Sequence, residues 1–329
     1  MSESQVDTCF VTGGTGFFGK ALLRHWFSDQ CIDEKPNKLT LLSRSPENFK
    51  ISYPDFSSLA GLNFHSGDIS NPKSLPFNSR FDGIIHAATD STNGADLSPL
   101  VRYDQIIDGT RHLLDFAVAS GAKRFLLTSS GGVYGPQPSH IDRIPEDYNG
   151  MPDPLRVTNA YSVGKRAAEH LCALYADKYG LEIVIARCFA FVGEDLPLDV
   201  HFAIGNFIRD ALWAKEIIVN GDGSPLRTYL DQRDLANWLT KLLHFGRSGE
   251  AYNVGSDTAI SISDLAHLVR DIVSPSKPVR ILSKPLDNLV RNRYVPDVSK
   301  IKKEMGLIPT ISIEQAIRDA ANSALSRIA

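Results

Sequence analysis

Tyr161 and Lys165 stand four residues apart in Tyr161-Ser162-Val163-Gly164-Lys165, and on a helix that spacing sets both side chains on one face. A phenol held beside an ammonium is acidified, because the positive charge favours the phenolate. Such a phenol can exchange a proton with a substrate oxygen. Upstream, the run Leu127-Thr128-Ser129-Ser130-Gly131-Gly132-Val133-Tyr134-Gly135 ends an apolar stretch over 124–128 in a cluster of hydroxyls. A serine there can hold the same oxygen while the proton moves. Taken alone, Tyr-x-x-x-Lys also describes an ordinary helical contact. The N-terminus separates the two readings.

There, the short apolar run Thr8-Cys9-Phe10-Val11-Thr12 leads directly into Gly13-Gly14-Thr15-Gly16-Phe17-Phe18-Gly19, and an amphipathic stretch follows over 20–28. Strand, glycine turn and helix in that order make a dinucleotide site credible. The glycines allow a tight turn and let the backbone approach a pyrophosphate at the positive end of the helix. The next strand, 38–42, ends in Ser43-Arg44-Ser45. An acidic residue at that place would take the ribose 2′-hydroxyl of NAD, whereas Arg44 with Ser43 suits the 2′-phosphate of NADP. The alternative for Arg44 is a solvated loop charge. A third strand closes over 63–68 and carries Asp68 to within reach of the adenine. A fourth, over 82–88, ends in Ala87 and Ala88, small enough to let a cofactor pass close. His86 lies inside that strand and reads as a satisfied core histidine before it reads as a catalyst.

Strands alternate with helices as far as 181–187, including helices over 99–120 and 161–179, which predicts an α/β, doubly wound parallel sheet (a Rossmann fold). Past Arg187 the rhythm breaks. Short Pro- and Gly-containing segments alternate with helices over 203–214, 232–245 and 261–273, as expected of a smaller C-terminal substrate-binding lobe over the carboxyl edge of the sheet. Residues 1–188 are expected to form the cofactor domain and 189–329 the lobe, with segments free to cross. The apolar positions Leu100, Tyr103, Ile107, Leu113, Leu114 and Ala117 of the 99–120 helix, together with the 161–179 helix, offer a face that either packs into the core or joins two subunits. A homodimer through those helices is the expectation.

Composition excludes several other classes. The 329 residues are 43% apolar and 22% charged with a net charge of −3, which gives no reason to expect nucleic acid or an anionic membrane as partner. No apolar run approaches the roughly 18 residues of a membrane span, and residues 1–7 are polar and acidic rather than signal-like. Cys9, Cys31, Cys172 and Cys188 lie far apart, with no Cys-x-x-Cys and no His/Cys ligand spacing. Cys9, Cys172 and Cys188 fall within expected strands or helices and read as small core hydrophobes, which fits a reducing cytoplasm with no metal.

On these residues the chain resembles the extended short-chain dehydrogenase/reductases, the epimerases, dehydratases and reductases of nucleotide sugars. The shared motifs are Thr12-Gly-Gly-Thr-Gly-Phe-Phe-Gly19, Gly67-Asp68-Ile69, Gly109-Thr110, Ser129-Ser-Gly-Gly-Val-Tyr-Gly135 and Tyr161-Ser-Val-Gly-Lys165. They continue through Asn220-Gly-Asp-Gly223, Arg227, Asp234-Leu-Ala236, Tyr252-Asn-Val-Gly255 and Asp297-Val-Ser-Lys300. The resemblance implies that Tyr161 is the acid/base at a sugar oxygen and Lys165 its partner, also bonding the nicotinamide ribose. It implies that Ser130 polarises that oxygen, with Ser129 beside the substrate. Gly13, Gly16, Phe17, Phe18, Gly19, Asp68, Ile69, Ala87 and Ala88 would line the cofactor. Arg227 would meet the diphosphate or nucleoside of a nucleotide-sugar substrate, assisted by Arg291 or Arg293.

Departures from the family pattern narrow the reaction. Sugar 4,6-dehydratases and related decarboxylases carry an acid at the position of Gly132, and the dehydratases another at Gly131. The galactose-type epimerases generally have Asn where Ala190 stands, and an acid after the second strand. Asp231 replaces a commoner His or Tyr, with no role assigned. His201, after Leu196-Pro197, either acts as an acid, as in family members that epimerise at C5 or C3, or bonds a hydroxyl or simply packs. The expected activity is therefore an NADP-dependent reductase of the 4-keto group of a nucleotide-linked deoxysugar. The alternative is an NAD-dependent nucleotide-sugar 4-epimerase. A cofactor-sensing protein without turnover ranks behind both.

Overall fold

The structure, a computed structural model, describes residues 6–28, 31, 34–89, 97–200, 202–284 and 292–327. His201 and Arg291 lie outside the described residues. Strands β1 (Thr8–Thr12), β2 (Lys38–Ser43), β3 (Leu62–Ser66), β4 (Gly83–His86), β5 (Arg124–Ser130) and β6 (Glu182–Cys188) join Ala251–Val254 in one seven-stranded parallel sheet. Its order is Ala251–Val254, β6, β5, β4, β1, β2, β3. β1 pairs on one side with β2 and on the other with β4. The chain thus winds outward through β2 and β3, then crosses back to start again at β4. In such sheets the crevice at the carboxyl ends of the two central strands is where ligands bind. Every residue of β4 and β5 is buried, as expected when helices cover both faces of a parallel sheet.

Two long helices carry the chemistry-bearing residues. Pro99–Ser120 starts on a Ser98 side chain that accepts the Val101 N–H and ends at Gly121, whose φ of 75° a glycine adopts without strain. Ala160–Tyr179 ends the same way at Gly180, φ 68°. The helices pack directly on each other. Gly164 permits this closeness, since a Cβ there would lie 3.3 Å from Ile106 and 3.4 Å from Tyr103. Leu113, Leu114 and Ala117 are buried in the core cluster, next to the ring contacts of Phe10 with Phe81 and Phe116 at 5.1 and 4.9 Å. Core packing therefore claims much of the apolar face of Pro99–Ser120, leaving Leu100 70% exposed.

The sequence placed no strand after 181–187, yet Ala251–Val254 extends the main sheet beside β6. The backbone bond from Ile185 N–H to Glu250 O, 3.0 Å, holds that edge. Four residues are too few to show a period of two above noise, and their pairing partner is remote in the chain. By packing, the chain divides into two compact units. The first comprises Met1–Val133, Met151–Cys188 and Ala236–Tyr252, and the second Tyr134–Gly150, Phe189–Leu235 and Asn253–Ala329. The second contains the helices Ala203–Trp213, Ile262–Val273 and Ile313–Ser326. It also has three two-stranded pieces, among them Leu226–Arg227 with Ile260–Ser261. No helix among the described residues is long and apolar enough to cross a membrane.

Candidate active site

The glycine turn opens at the carboxyl end of β1, and three of its glycines, spaced three residues apart, meet three different constraints. Gly13 has φ 70°, and a Cβ on it would lie 2.5 Å from the Ala87 carbonyl oxygen and 2.8 Å from the Ala88 nitrogen. These are backbone atoms that cannot give way, so only glycine fits where β1 and β4 end side by side. Gly19 is pressed onto the Gly14 backbone, where a Cβ would come within 2.1 Å. Gly16 is exposed, with only the Gly13 oxygen near its missing side chain, at 3.3 Å. It caps the helix Phe17–Trp26 without a side chain, and no acid stands in the first turn. A tight turn, an open glycine and an uncompensated helix start fit the pyrophosphate of a dinucleotide. Asp68 uses one carboxylate oxygen to accept the Ser70 N–H at 2.8 Å. Ile69 lies against Gly109, where a Cβ would meet its Cδ1 at 2.7 Å.

His86 is a core histidine. Thr110 donates its hydroxyl to the Ile106 oxygen at 2.6 Å, so the 3.2 Å contact from Nε2 to Thr110 Oγ1 makes Nε2 the protonated nitrogen. Nδ1 then accepts from Thr12 Oγ1 at 2.9 Å, and Thr12 in turn accepts the Ala88 N–H. Burial, with the Lys165 charge, lowers the His86 pKa to about 3. A neutral imidazole with both nitrogens engaged links the ends of β1 and β4 and transfers no proton.

The hydroxyl strand and the Ala160–Tyr179 helix bring Ser130, Tyr161 and Lys165 together within the first unit. Ser130 Oγ accepts the Gly132 N–H at 3.1 Å and is hydrogen-bonded to the Tyr161 phenol. Lys165 is buried, with Nζ donating to Thr128 O and to Thr89 Oγ1, each at 2.7 Å. Desolvation brings its pKa down to about 8.

One expectation from helical spacing is corrected here. The ammonium was expected to acidify Tyr161. Instead, burial raises the phenol, and the groups that oppose the rise are the Ser130 bond and the charge of Arg102. Lys165 spends its donors on two neutral oxygens of other elements, which helical spacing cannot show. Ser129 was expected beside the substrate. Its hydroxyl donates to Glu169 Oε1 at 2.5 Å, and Glu169 is clasped by Arg187 through Nε and Nη2, the latter at 2.8 Å. Three residues that the sequence reading missed thus matter to the geometry: Thr89, Glu169 and Arg102. Glu169 stands one turn past Lys165 on the same helix, which was a usable signal. Arg102 and Thr89 had none, because their proximity is tertiary.

At the end of β2, Ser43 is buried and Arg44 and Ser45 are exposed. Ser43 Oγ accepts the Ser45 N–H at 3.2 Å. Glu47, three residues past Arg44, pairs with Lys50 at 2.8 Å. In the second unit, Arg227 donates to Leu226 O at 2.8 Å and Asn292 Oδ1 at 3.1 Å. Arg293 is on the neighbouring backbone, bridged to Leu226, and its guanidinium is paired with Asp142. Asp231 also finds its role. It binds Arg233 through both oxygens at 2.8 Å, and Arg233 continues to Asp319. That network borders a cavity of about 480 Å³ within the second unit, remote in composition from the serine–tyrosine–lysine group. All four cysteines are buried and free. Among the described residues no His, Cys, Asp or Glu cluster could hold a metal ion.

Residues 9–255 match the model of the NAD dependent epimerase/dehydratase family. The chain is 28% identical to UDP-glucuronic acid decarboxylase 3 of Arabidopsis thaliana, over 93% of this chain and 86% of that protein. It superposes on UDP-glucose 4-epimerase from Thermotoga maritima, solved with UDP-glucose, with a TM-score of 0.81 and 20% identity, covering 98% and 99% of the two chains. RMD from Pseudomonas aeruginosa, complexed with NADPH, gives a TM-score of 0.77 at 25% identity over 97% and 99%. The epimerase likeness supports the fold. The family match covers most of the chain and includes the glycine turn and both chemistry-bearing helices, so the chain belongs to the NAD dependent epimerase/dehydratase family, the nucleotide-sugar enzymes of the extended short-chain dehydrogenase/reductases.

Proposed function

We propose that this enzyme is an NADP-dependent reductase of the 4-keto group of a nucleotide-linked deoxysugar. The observation that carries the reading is the end of β2, where an exposed Arg44 beside a buried Ser43 stands in the position of an acid. A guanidinium there matches a ribose 2′-phosphate. The glycine pair 131–132 adds to it. Elimination of water from a hexose would require an acid near C6 that these residues lack, and a Cβ at Gly132 would meet Ser162 Oγ at 2.6 Å.

In this reading the nicotinamide, when bound, supplies the hydride for C4. Tyr161 gives its phenolic proton to the C4 oxygen as that oxygen becomes negative, and Ser130 holds the same oxygen by a hydrogen bond. Lys165, fixed by Thr89 and Thr128, turns its remaining proton to the ribose. His86 stays neutral and keeps the β1 and β4 ends in register. Arg227 and Arg293 serve the nucleotide diphosphate. The reading also includes a homodimer through the Pro99–Ser120 and Ala160–Tyr179 helices, whose exposed Val118, Leu174 and Tyr179 remain outside the core. A cytoplasmic location fits the four free thiols.

The test is a calorimetric comparison of cofactors on the purified protein. NADPH should bind more tightly than NADH by about 1.5–3 kcal/mol, the scale of a charge-assisted hydrogen bond, and Arg44→Ala should erase most of the difference. Equal affinities, or NAD+ retained through purification, would replace this reading by the 4-epimerase.

A further inference from the structure

Arg102 sits in the first turn of the Pro99–Ser120 helix, with its guanidinium carbon 4.4 Å from the centroid of the Tyr161 ring. The side chain is half-buried, and its Nε is shielded from solvent with no hydrogen-bond partner. Among the described residues no carboxylate pairs with it. Two other arginines of the same unit have settled partners: Arg187 grips Glu169, and Arg124, at the opposite end of β5, reaches Glu182 and two backbone carbonyls. A guanidinium normally acquires such partners, because leaving its donors dry is costly. Here the aromatic face takes their place.

The stack is directional in its chemistry. The face of a phenol is weakly negative, and it becomes far more so when the hydroxyl proton leaves, so a cation on that face gains most from the phenolate. Among the described residues the groups that face Tyr161 are few. Ser130 approaches from β5, the Cys188 thiol from β6, Arg102 from Pro99–Ser120, and Lys165 stands one turn along its own helix. Burial pushes the Cys188 thiol up to about 12, so it carries no charge at neutral pH. Lys165 is committed to Thr89 and Thr128. Among the described residues, Arg102 is the cation that lies on the face of the Tyr161 ring.

We propose that Arg102 is a positioning residue for proton transfer, stabilising the Tyr161 phenolate through the face of its ring and so setting the pH at which that phenol gives up and regains its proton. The inference rests on the reading that Tyr161 is the proton-transfer group. Burial drives the Tyr161 pKa upward, and Arg102 is among the groups that pull it back.

The test titrates Tyr161 directly. Tyrosine carrying ¹³C at Cζ is incorporated into the full-length chain, and the Tyr161 resonance is identified by its loss in Tyr161→Phe. Arg102→Met and Arg102→Gln remove the charge with a similar length of side chain, and Arg102→Lys keeps it. An opposite charge within about 4–6 Å shifts a pKa by about 1–3 units. The Tyr161 midpoint should therefore rise by about that much in the Met and Gln variants and return most of the way in the Lys variant. The pH limb of turnover should move with it. A residue that merely covers the ring would lower kcat without displacing either curve. An unmoved midpoint in a folded Met or Gln variant overturns the inference, whatever happens to turnover. A midpoint that moves in a protein whose Tyr161→Phe variant turns over normally instead overturns the reading of Tyr161, so the two failures are told apart.

Discussion

Asp234, buried in the second unit, and Arg102, half-buried in the first, have opposite surroundings. Asp234 is 3% exposed and accepts from the Thr310 N–H at 2.8 Å, the Thr310 hydroxyl at 2.6 Å and the Ile311 N–H at 3.1 Å. Asn253, in the same unit, receives the Tyr134 hydroxyl at 2.8 Å and donates to Ile144 O and Asp297 O. Asp231 and Arg233 neutralise each other. Around Tyr161, by contrast, an arginine has only a ring to lie on, and a lysine is held by two neutral oxygens. Motifs that carried the family resemblance thus fall into two kinds. Where the polar groups are fully consumed by the protein, the motif fastens loops. Where charge is left under-neutralised, the low local dielectric keeps it available to act on a bound group or on a titrating side chain.

Substitutions at the two centres should break in opposite ways. Tyr161→Phe should lower kcat by about 10²–10⁴-fold, the usual worth of a general acid, while folding and NADPH binding persist. Near-normal turnover would remove Tyr161 from the mechanism. Asp234→Ala should leave turnover per folded molecule intact and cost about 2–4 kcal/mol in urea unfolding, because three donors lose a charged acceptor. A catalytic defect without a stability loss would dissolve the contrast.

His86 offers a subtler test within the first unit. Its pKa is lowered on folding, from 6.5 to about 3, so between these values the unfolded chain binds more protons and stability rises with pH. As pH falls from 6.5 towards 3, this group should subtract up to about 1.4 kcal/mol per pH unit. His86→Gln should flatten that part of the curve. Identical pH profiles for the two proteins would show that the imidazole is not buried in its neutral form.

The smallest effect is expected at Arg293. Its partner Asp142 is 88% exposed, so Arg293→Ala should change stability by less than about 1 kcal/mol. A rise in KM for the sugar nucleotide, without a matching fall in kcat, would mark it as a substrate contact that exchanges Asp142 for the diphosphate. No change in KM would leave it a surface pair and assign the cation role to Arg227.

Much of the fold was legible because its signals are local. The glycine turn, the buried strands β1 and β5 and the long helices announce themselves within windows of ten to twenty residues, where periodicity and turn chemistry act. Pro99–Ser120 appears at its expected bounds because a serine cap, a proline and a terminal glycine all lie at its own ends. Ser130, Tyr161 and Lys165 stood out for the same reason, as two short motifs.

What the amino-acid order determined by itself was therefore the set of groups, the strand–turn–helix that fits a dinucleotide and the alternation that yields a parallel sheet. Tertiary structure decided which groups act on which. It joined Ser129 to Glu169, gave the Lys165 ammonium to Thr89 and Thr128, closed Asp231 onto Arg233 and Asp319, and laid Arg102 on Tyr161. The physical reason is that helix and turn preferences arise between near neighbours in the chain. Desolvation and charge, by contrast, depend on whatever the fold packs within a few ångströms.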